Sequence, residues 1–243
     1  MSALLEVAEV SRSFGSVRAL ERASLSVEHN SITALIGPNG SGKTTLFNVI
    51  TGYLRADTGR VRFGGRDVTG ASASALYRSG LSRTFQQARV FGDLTVQENL
   101  VVAGGFSVSQ LFGRRIGRRD RERAGQLLEE FRLDAVADLY ASELSFGQRK
   151  LLEFAAVLMS EPELVMLDEP TAGVNPVLIQ VMEQHIRRRN EAGITFLIVE
   201  HDMNFVMRLC DPVIVLDQGQ EIFVGPPEAV RSNPAVLDAY LGA

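Results

Sequence analysis

The stretch "ITALIGPNGSGKTTLFNVI", Ile32–Ile50, decides how the rest of the chain reads. Its opening residues are apolar or β-branched, the composition of a short strand buried on both faces. "GPNGSGKT" then satisfies G-x-x-x-x-G-K-[ST] with Gly37, Gly42, Lys43 and Thr44, and "KTTLFNVI" continues as a helix. Strand, glycine-rich loop and helix in that order make a phosphate cradle. The glycines let backbone N–H groups curl round the anion, and the helix start adds a favourable dipole. The whole loop, Gly37, Pro38, Asn39, Gly40, Ser41, Gly42, Lys43, Thr44 and Thr45, is expected to hold a nucleotide. Lys43 supplies a compact charge to the β- and γ-phosphates, and the Thr44 hydroxyl ligates Mg2+. Only two of the 25 basic residues are lysines, Lys43 and Lys150. A chain that otherwise uses arginine keeps lysine where a guanidinium is too bulky.

Working outward, short β-branched runs recur at 164–167, 195–199 and 213–216, with helix-like segments at Lys43–Ile50 and Pro176–Glu191. The second helix mixes apolar Val177, Ile179, Val181, Met182 and Ile186 with a polar face. This alternation predicts an α/β fold around a mostly parallel sheet. Residues 4–30 and 58–68 alternate as a small antiparallel sheet near the phosphate loop. Residues 87–161 hold no convincing buried strand and read as an inserted, mainly helical segment.

The bulk numbers exclude several classes. With 243 residues, 45% hydrophobic and 22% charged, the chain can bury a sizeable core and is not disordered. A net charge of −4 does not suit a polyanion binder. The single Cys210 excludes an internal disulfide and fits a reducing compartment. "MSALLEVAEVSRSF" lacks the basic start and apolar run of a signal peptide, and no apolar run approaches the roughly 20 residues of a membrane span. Any work at a membrane therefore needs another chain to hold this one there. "GRRIGRRDRER", Gly113 to Arg123, reads as a solvated helix start of mixed charge, with anionic lipid headgroups as the functional alternative.

Further chemistry lies at strand ends. In "ELVMLDEPTAG", Asp168 and Glu169 emerge at the carboxyl end of a strand, where ligands bind in open α/β sheets. Asp168 is placed to hold Mg2+ and Glu169 to act as general base on the attacking water. His201 follows the strand in "TFLIVEHD" and is placed to donate to the γ-phosphate or orient the water. Gln86 and Gln87, in "SRTFQQARVF", sit where sheet gives way to helix; a glutamine there can touch Mg2+ or water. Phe14 in "SRSFGSVRAL" can stack on adenine. "LSFGQRK", Leu144–Lys150, opens a second helix with a serine cap and a glycine, and so offers a second anion site.

Together these motifs resemble the ATP-binding subunits of ABC transporters along nearly the entire chain. "GPNGSGKTT" is similar to their Walker A loop, "LVMLDEP" to Walker B, Gln86 to the Q-loop glutamine, His201 to the switch histidine and "LSFGQ" to the family signature. The resemblance implies a RecA-like P-loop NTPase core formed by 1–86 and 162–243, carrying an antiparallel β subdomain. It also implies an α-helical subdomain over 87–161, all within one ABC ATPase domain. Two such subunits pack head to tail, so that Ser145, Gly147 and Gln148 of one meet the ATP on the other's Walker A loop. Two departures stand out: Phe146 where glycine is usual, and Asn175 where the D-loop usually has aspartate.

"KTTLFNVITGYLRADTGRV", "VEHDMNFVM" and "GPPEAVRSNPAVLDAYLG" most resemble ATPase subunits of bacterial branched-chain amino acid importers. Urea or amide importers and the lipopolysaccharide-export ATPase are close in pattern, and soluble ABC-type ATPases acting on DNA or ribosomes are the alternative from another class. The implied partners are a second ATPase subunit, membrane permease subunits contacted through a groove near Gln86–Phe91 and, indirectly, an extracytoplasmic binding protein, with no nucleic acid. The implied place is the cytoplasmic face of the cell membrane.

Overall fold

The strand before the phosphate loop forms over Ile32–Ile36 (β3), with all five residues buried. The computed structural model describes residues 3–84, 90–105 and 118–241. β8 (Thr195–Val199) and β9 (Val213–Asp217) flank β3 in parallel. β7 (Leu164–Asp168) and β6 (Leu81–Arg83) continue the parallel sheet beyond β8. β10 (Gln220–Gly225) closes the opposite edge antiparallel to β9, giving the order β10-β9-β3-β8-β7-β6. The sequence reading placed the four central strands to within a residue or two. It missed β6 and β10, the two edges, which are respectively short and half-exposed.

A second sheet is antiparallel, with order β2-β1-β4-β5. It contains β1 (Ala3–Phe14), β2 (Val17–Glu28), β4 (Thr58–Phe63) and β5 (Arg66–Asp67). Its inner residues, among them Leu5, Val7, Leu20 and Val61, pack with α1 (Lys43–Ile50) on one face of the core sheet. Leu197, Val199, Ile214 and Leu216 face that layer, whereas Phe196, Ile198, Val213 and Val215 face the other. The period-2 geometry of a strand produces this division, and the burial of both faces explains why the runs contain no polar alternation.

The other α-helices among the described residues are α2 (Ala73–Arg78), α3 (Val96–Ala103), α4 (Arg118–Glu130), α5 (Phe146–Val157), α6 (Pro176–Glu191), α7 (Met203–Leu209), α8 (Pro227–Val230) and α9 (Pro234–Leu241). Among the described residues, none is long and apolar enough to cross a membrane. α6 has the expected bounds, and Met182 and Ile186 are buried as expected, but Val177, expected on the same apolar face, is 72% exposed, and His185 is buried with the other two.

An aromatic chain ties α4, α5 and α6 to the sheet. Phe196 meets Phe154 edge-on at 6.4 Å, Phe154 meets Phe131 edge-on at 5.5 Å, and Phe131 stacks on His185 at 4.1 Å. Removing a buried phenylalanine from such a contact loses transfer energy and leaves a cavity. Phe196→Ala is expected to destabilise the fold by about 3–5 kcal/mol in a denaturant titration. An unchanged midpoint would show that the chain of rings does not hold the layers.

Candidate functional site

Parallel pairing brings the strand ends to one edge. Leu35 of β3 and Asp168 of β7 both lie opposite Val199 of β8. Gly37, Glu169 and Glu200 therefore start their loops on the same side of the sheet, where open α/β sheets bind ligands.

The phosphate loop is held from below. Gly219, in the β9–β10 turn, donates its N–H to the Ser41 carbonyl at 2.9 Å, and Glu21 of β2 donates to the Gly219 carbonyl at 3.0 Å. Gly42 has φ 101°, and a Cβ there would lie 2.5 Å from the Ala19 carbonyl oxygen. A glycine is required on both counts. α1 starts without a side-chain cap, whereas Thr95, Ser145, Asn175 and Asp202 cap α3, α5, α6 and α7. The first N–H groups of a helix have no intrahelical partner, so an uncapped start is suited to an anion.

Above the loop is a cleft of about 260 Å³ lined by Val17, Arg18, Ala19, Asn39, Gly40, Gly42, Lys43, Thr44, Thr45 and Glu169. The Lys43 ammonium donates to the Gly37 and Pro38 carbonyls, both at 2.8 Å, and to Ser41 Oγ at 3.3 Å. Burial pulls its pKa below the ordinary lysine value, and the Glu169 carboxylate opposes that shift. Thr44 is exposed to the cleft, so its hydroxyl is available to a ligand. Phe14 is half-exposed at the end of β1, paired with the cleft residue Val17, and the Arg12 guanidinium lies 5.0 Å from its ring centre.

Glu169 occupies the left-handed region at φ 47°, with its N–H on the Val199 carbonyl at 2.9 Å. Such a backbone costs about 1–3 kcal/mol in a residue other than glycine and is concentrated at functional sites. His201 is brought to it, with Nδ1 4.0 Å from Glu169 Oε1. Asp168 lies deeper and is buried, its Oδ2 3.3 Å from Arg83 Nη2. Burial raises the pKa of its carboxyl group, and Arg83 opposes the shift.

Two residues that sequence reasoning passed over organise these loops. Glu200 is buried, and one of its oxygens accepts from Thr171 N–H at 2.9 Å and Thr171 Oγ1 at 2.6 Å. The other accepts from His201 N–H at 2.8 Å and Asp202 N–H at 3.1 Å. It thereby fastens the loop after β7 to the loop after β8. Arg83 is the second such residue. The available signal for both was a single charge in or beside a buried strand, which must find partners. Gln86 and Gln87 lie outside the described residues.

The second helix start forms as a reciprocal cap. Ser145 N–H donates to Gln148 Oε1 at 2.9 Å, and Gln148 N–H donates to Ser145 Oγ at 3.3 Å. Ser145 and Phe146 are exposed. A Cβ on Gly147 would come 2.8 Å from Leu178 Cδ2, so this glycine also serves the approach of α6. The Phe146 ring lies beside Gly173, in the segment leading to Asn175. Asn175 itself caps α6, accepting from Leu178 N–H at 2.9 Å. Ser145, Gly147 and Gln148 are not among the residues lining the phosphate-loop cleft; Gln148 borders a different cavity, of about 300 Å³, with Glu130, Leu178 and His185.

Residues 20–172, which include the phosphate loop, the capped serine and Asp168–Glu169, match the family model described as ABC transporter. The chain belongs to that family. Its C-terminal residues 220–243 match a second model, described as branched-chain amino acid ATP-binding cassette transporter. The cassette is 38% identical over 250 residues to the high-affinity branched-chain amino acid transport ATP-binding protein BraF of Pseudomonas aeruginosa, covering 98% of each chain. It is 40% identical over 246 residues to the probable branched-chain amino acid transport ATP-binding protein LivG of Archaeoglobus fulgidus, covering 99% of this chain and 96% of that one. A solved nucleotide-free ATP-binding cassette from an ABC transporter superposes with a TM-score of 0.89 at 38% identity, covering 100% of both chains. The ADP conformation of an ATP-binding cassette aligns equally well, at a TM-score of 0.89. The expected fold is therefore present, and the protein is an ABC-type ATPase.

Gly42→Ala tests the support under the loop. The added methyl strains φ and meets the Ala19 carbonyl, so ATP affinity in an equilibrium binding assay is expected to fall at least about tenfold, as 1.4 kcal/mol of strain requires. Wild-type affinity would mean that the loop tolerates a shift there.

Proposed function

We propose that this ATPase powers the import of branched-chain, hydrophobic amino acids through separate permease subunits. The observation that carries the reading is the likeness to branched-chain transport ATP-binding proteins over nearly the whole chain, continued into residues 220–243. The ATPase would sit on the cytoplasmic face of the membrane, held by its permease, with an extracytoplasmic binding protein delivering substrate. Residues 1–86 and 162–243 would form the nucleotide-binding core. Residues 87–161 would form the helical unit that passes motion to the permease, through a groove near Gln86–Phe91.

In this proposal the free N–H groups at the start of α1 and the Lys43 ammonium hold the β- and γ-phosphates of ATP. The uncapped helix start and the exposed Thr44 hydroxyl fit a nucleotide carrying Mg2+. Thr44, Asp168 and Gln86 would hold the ion, which when bound offsets negative charge on the phosphates. Phe14 would stack on adenine.

Glu169 accepts a proton from the water that attacks the γ-phosphorus. The bond from that phosphorus to the bridging oxygen breaks, and its electron pair leaves with ADP. His201, beside Glu169, donates a hydrogen bond to the γ-phosphate as inorganic phosphate forms. Ser145, Gly147 and Gln148 would act on the nucleotide of a second subunit. Their separation from this chain's own cleft supports an action in trans.

The test uses vesicles holding the full transporter and its binding protein. Wild type is expected to take up leucine only with internal ATP. Glu169→Gln is expected to keep ATP binding while phosphate release and uptake fall by about 100-fold or more. Phosphate release near wild type would remove Glu169 as the base, and ATP-driven transport of another substrate class without leucine would overturn the import reading.

A further inference from the structure

Arg83 ends β6 at the edge of the sheet and its side chain is only 9% exposed. A guanidinium so deep needs partners on most of its donors. Nη1 donates to Asn48 Oδ1 and to Thr51 Oγ1, both at 2.8 Å. Nε donates to the Thr84 carbonyl at 3.2 Å, and Nη2 donates to Asp168 Oδ2 at 3.3 Å. Its faces are covered as well, with the Phe47 ring centre at 4.6 Å and the Tyr53 ring centre at 4.9 Å.

These partners have different origins. Asn48 belongs to α1, the helix that begins with Lys43 and Thr44, and Thr51 directly follows it. Asp168 ends β7, one residue before Glu169. Arg83 is therefore a strut between the far end of the phosphate-loop helix and the carboxylate at the strand end. The Asp168 backbone is held separately, its N–H donating to Thr84 Oγ1 at 3.2 Å. The side-chain carboxylate, by contrast, is turned by Arg83. The fork of the guanidinium matters here, because one planar group reaches Asn48, Thr51 and Asp168 together and still stacks between rings. The same side chain lines two surface grooves, of about 330 and 190 Å³, both of which Tyr77 also lines.

We propose that Arg83 is a positioning residue for the Mg2+ end of the nucleotide site, setting the direction of the Asp168 carboxylate relative to α1. This rests on the reading of Asp168 and Thr44 as the residues that hold Mg2+. A buried carboxylate that loses this donor is no longer held in one direction, and so it serves a divalent cation less well.

The experiment measures ATP binding to the isolated chain in EDTA and then across a Mg2+ titration. Arg83→Gln is expected to leave affinity in EDTA unchanged while shifting the Mg2+ midpoint upward by about tenfold. Arg83→Lys should recover part of that shift. Asn48→Ala, which loosens the strut without touching Asp168, should move the midpoint in the same direction by less, and it serves if Arg83→Gln does not fold. A wild-type Mg2+ titration in Arg83→Gln, or an equal loss of affinity with and without Mg2+, would overturn the proposal. If wild type itself shows no Mg2+ dependence, the Mg2+ reading fails first, and this outcome is distinct from the others.

Discussion

The start of α1 has backbone N–H groups that no side chain caps, and much of the molecule is arranged to keep it so. A helix end of this kind is stable only with water or an anion on it. Placing it at the carboxyl edge of a parallel sheet gathers the ends of β3, β7 and β8 around the same point. The β9–β10 turn and β2 hold the loop from beneath, leaving its outer side free. In that cleft Lys43 and Glu169 sit as opposite charges at the carboxyl edge of the sheet, the pair that the proposed hydrolysis uses.

Buried charge provides the second layer of order. Glu200 and Arg83 are charged side chains in the interior, where a charge is costly without partners, and each satisfies its needs by joining segments far apart in the chain. Glu200 binds Thr171 to the backbone of His201 and Asp202. Arg83 binds Asn48 and Thr51 to Asp168. Breaking a buried ion pair such as Arg83–Asp168 by removing one member costs about 3–5 kcal/mol. The geometry of the site is thus fixed by the same interactions that make the core tolerate polar groups, and the strained backbone at Glu169 persists because its neighbours are held on both sides.

Much of this was legible in the residues. β3, β8, α1 and α6 carry their own signals, since a strand buried on both faces lacks polar alternation and a glycine-rich loop followed by lysine marks a helix start. The edges β6 and β10 carry weaker ones, because three residues show no period and a half-exposed strand shows a blurred one. Val177 looked like a core residue from its spacing but lies in the first turn of α6, next to the exposed Asn175 cap. Arg83 and Glu200 were overlooked for a different reason. Asp168 is 85 residues from Arg83 and Thr171 is 29 from Glu200, and no local pattern distinguishes a charge that organises a site from one that faces water. The glycine of the capped helix start was also only half read. It was expected to let the backbone approach a phosphate, and what the structure shows is that it makes room for Leu178.

The central claim is that Ser145 completes the nucleotide site of another subunit rather than its own. Thiol labelling of a Ser145→Cys variant tests it directly, because the one native cysteine, Cys210, is buried with its pKa pushed up to about 12 and so is a poor competitor for the reagent. With a non-hydrolysable ATP analogue and Mg2+, the account predicts that position 145 becomes protected as the protein concentration rises, and that dilution restores its reactivity. Protection that is complete at the lowest concentrations and indifferent to dilution would place Ser145 over its own chain's nucleotide and contradict the account.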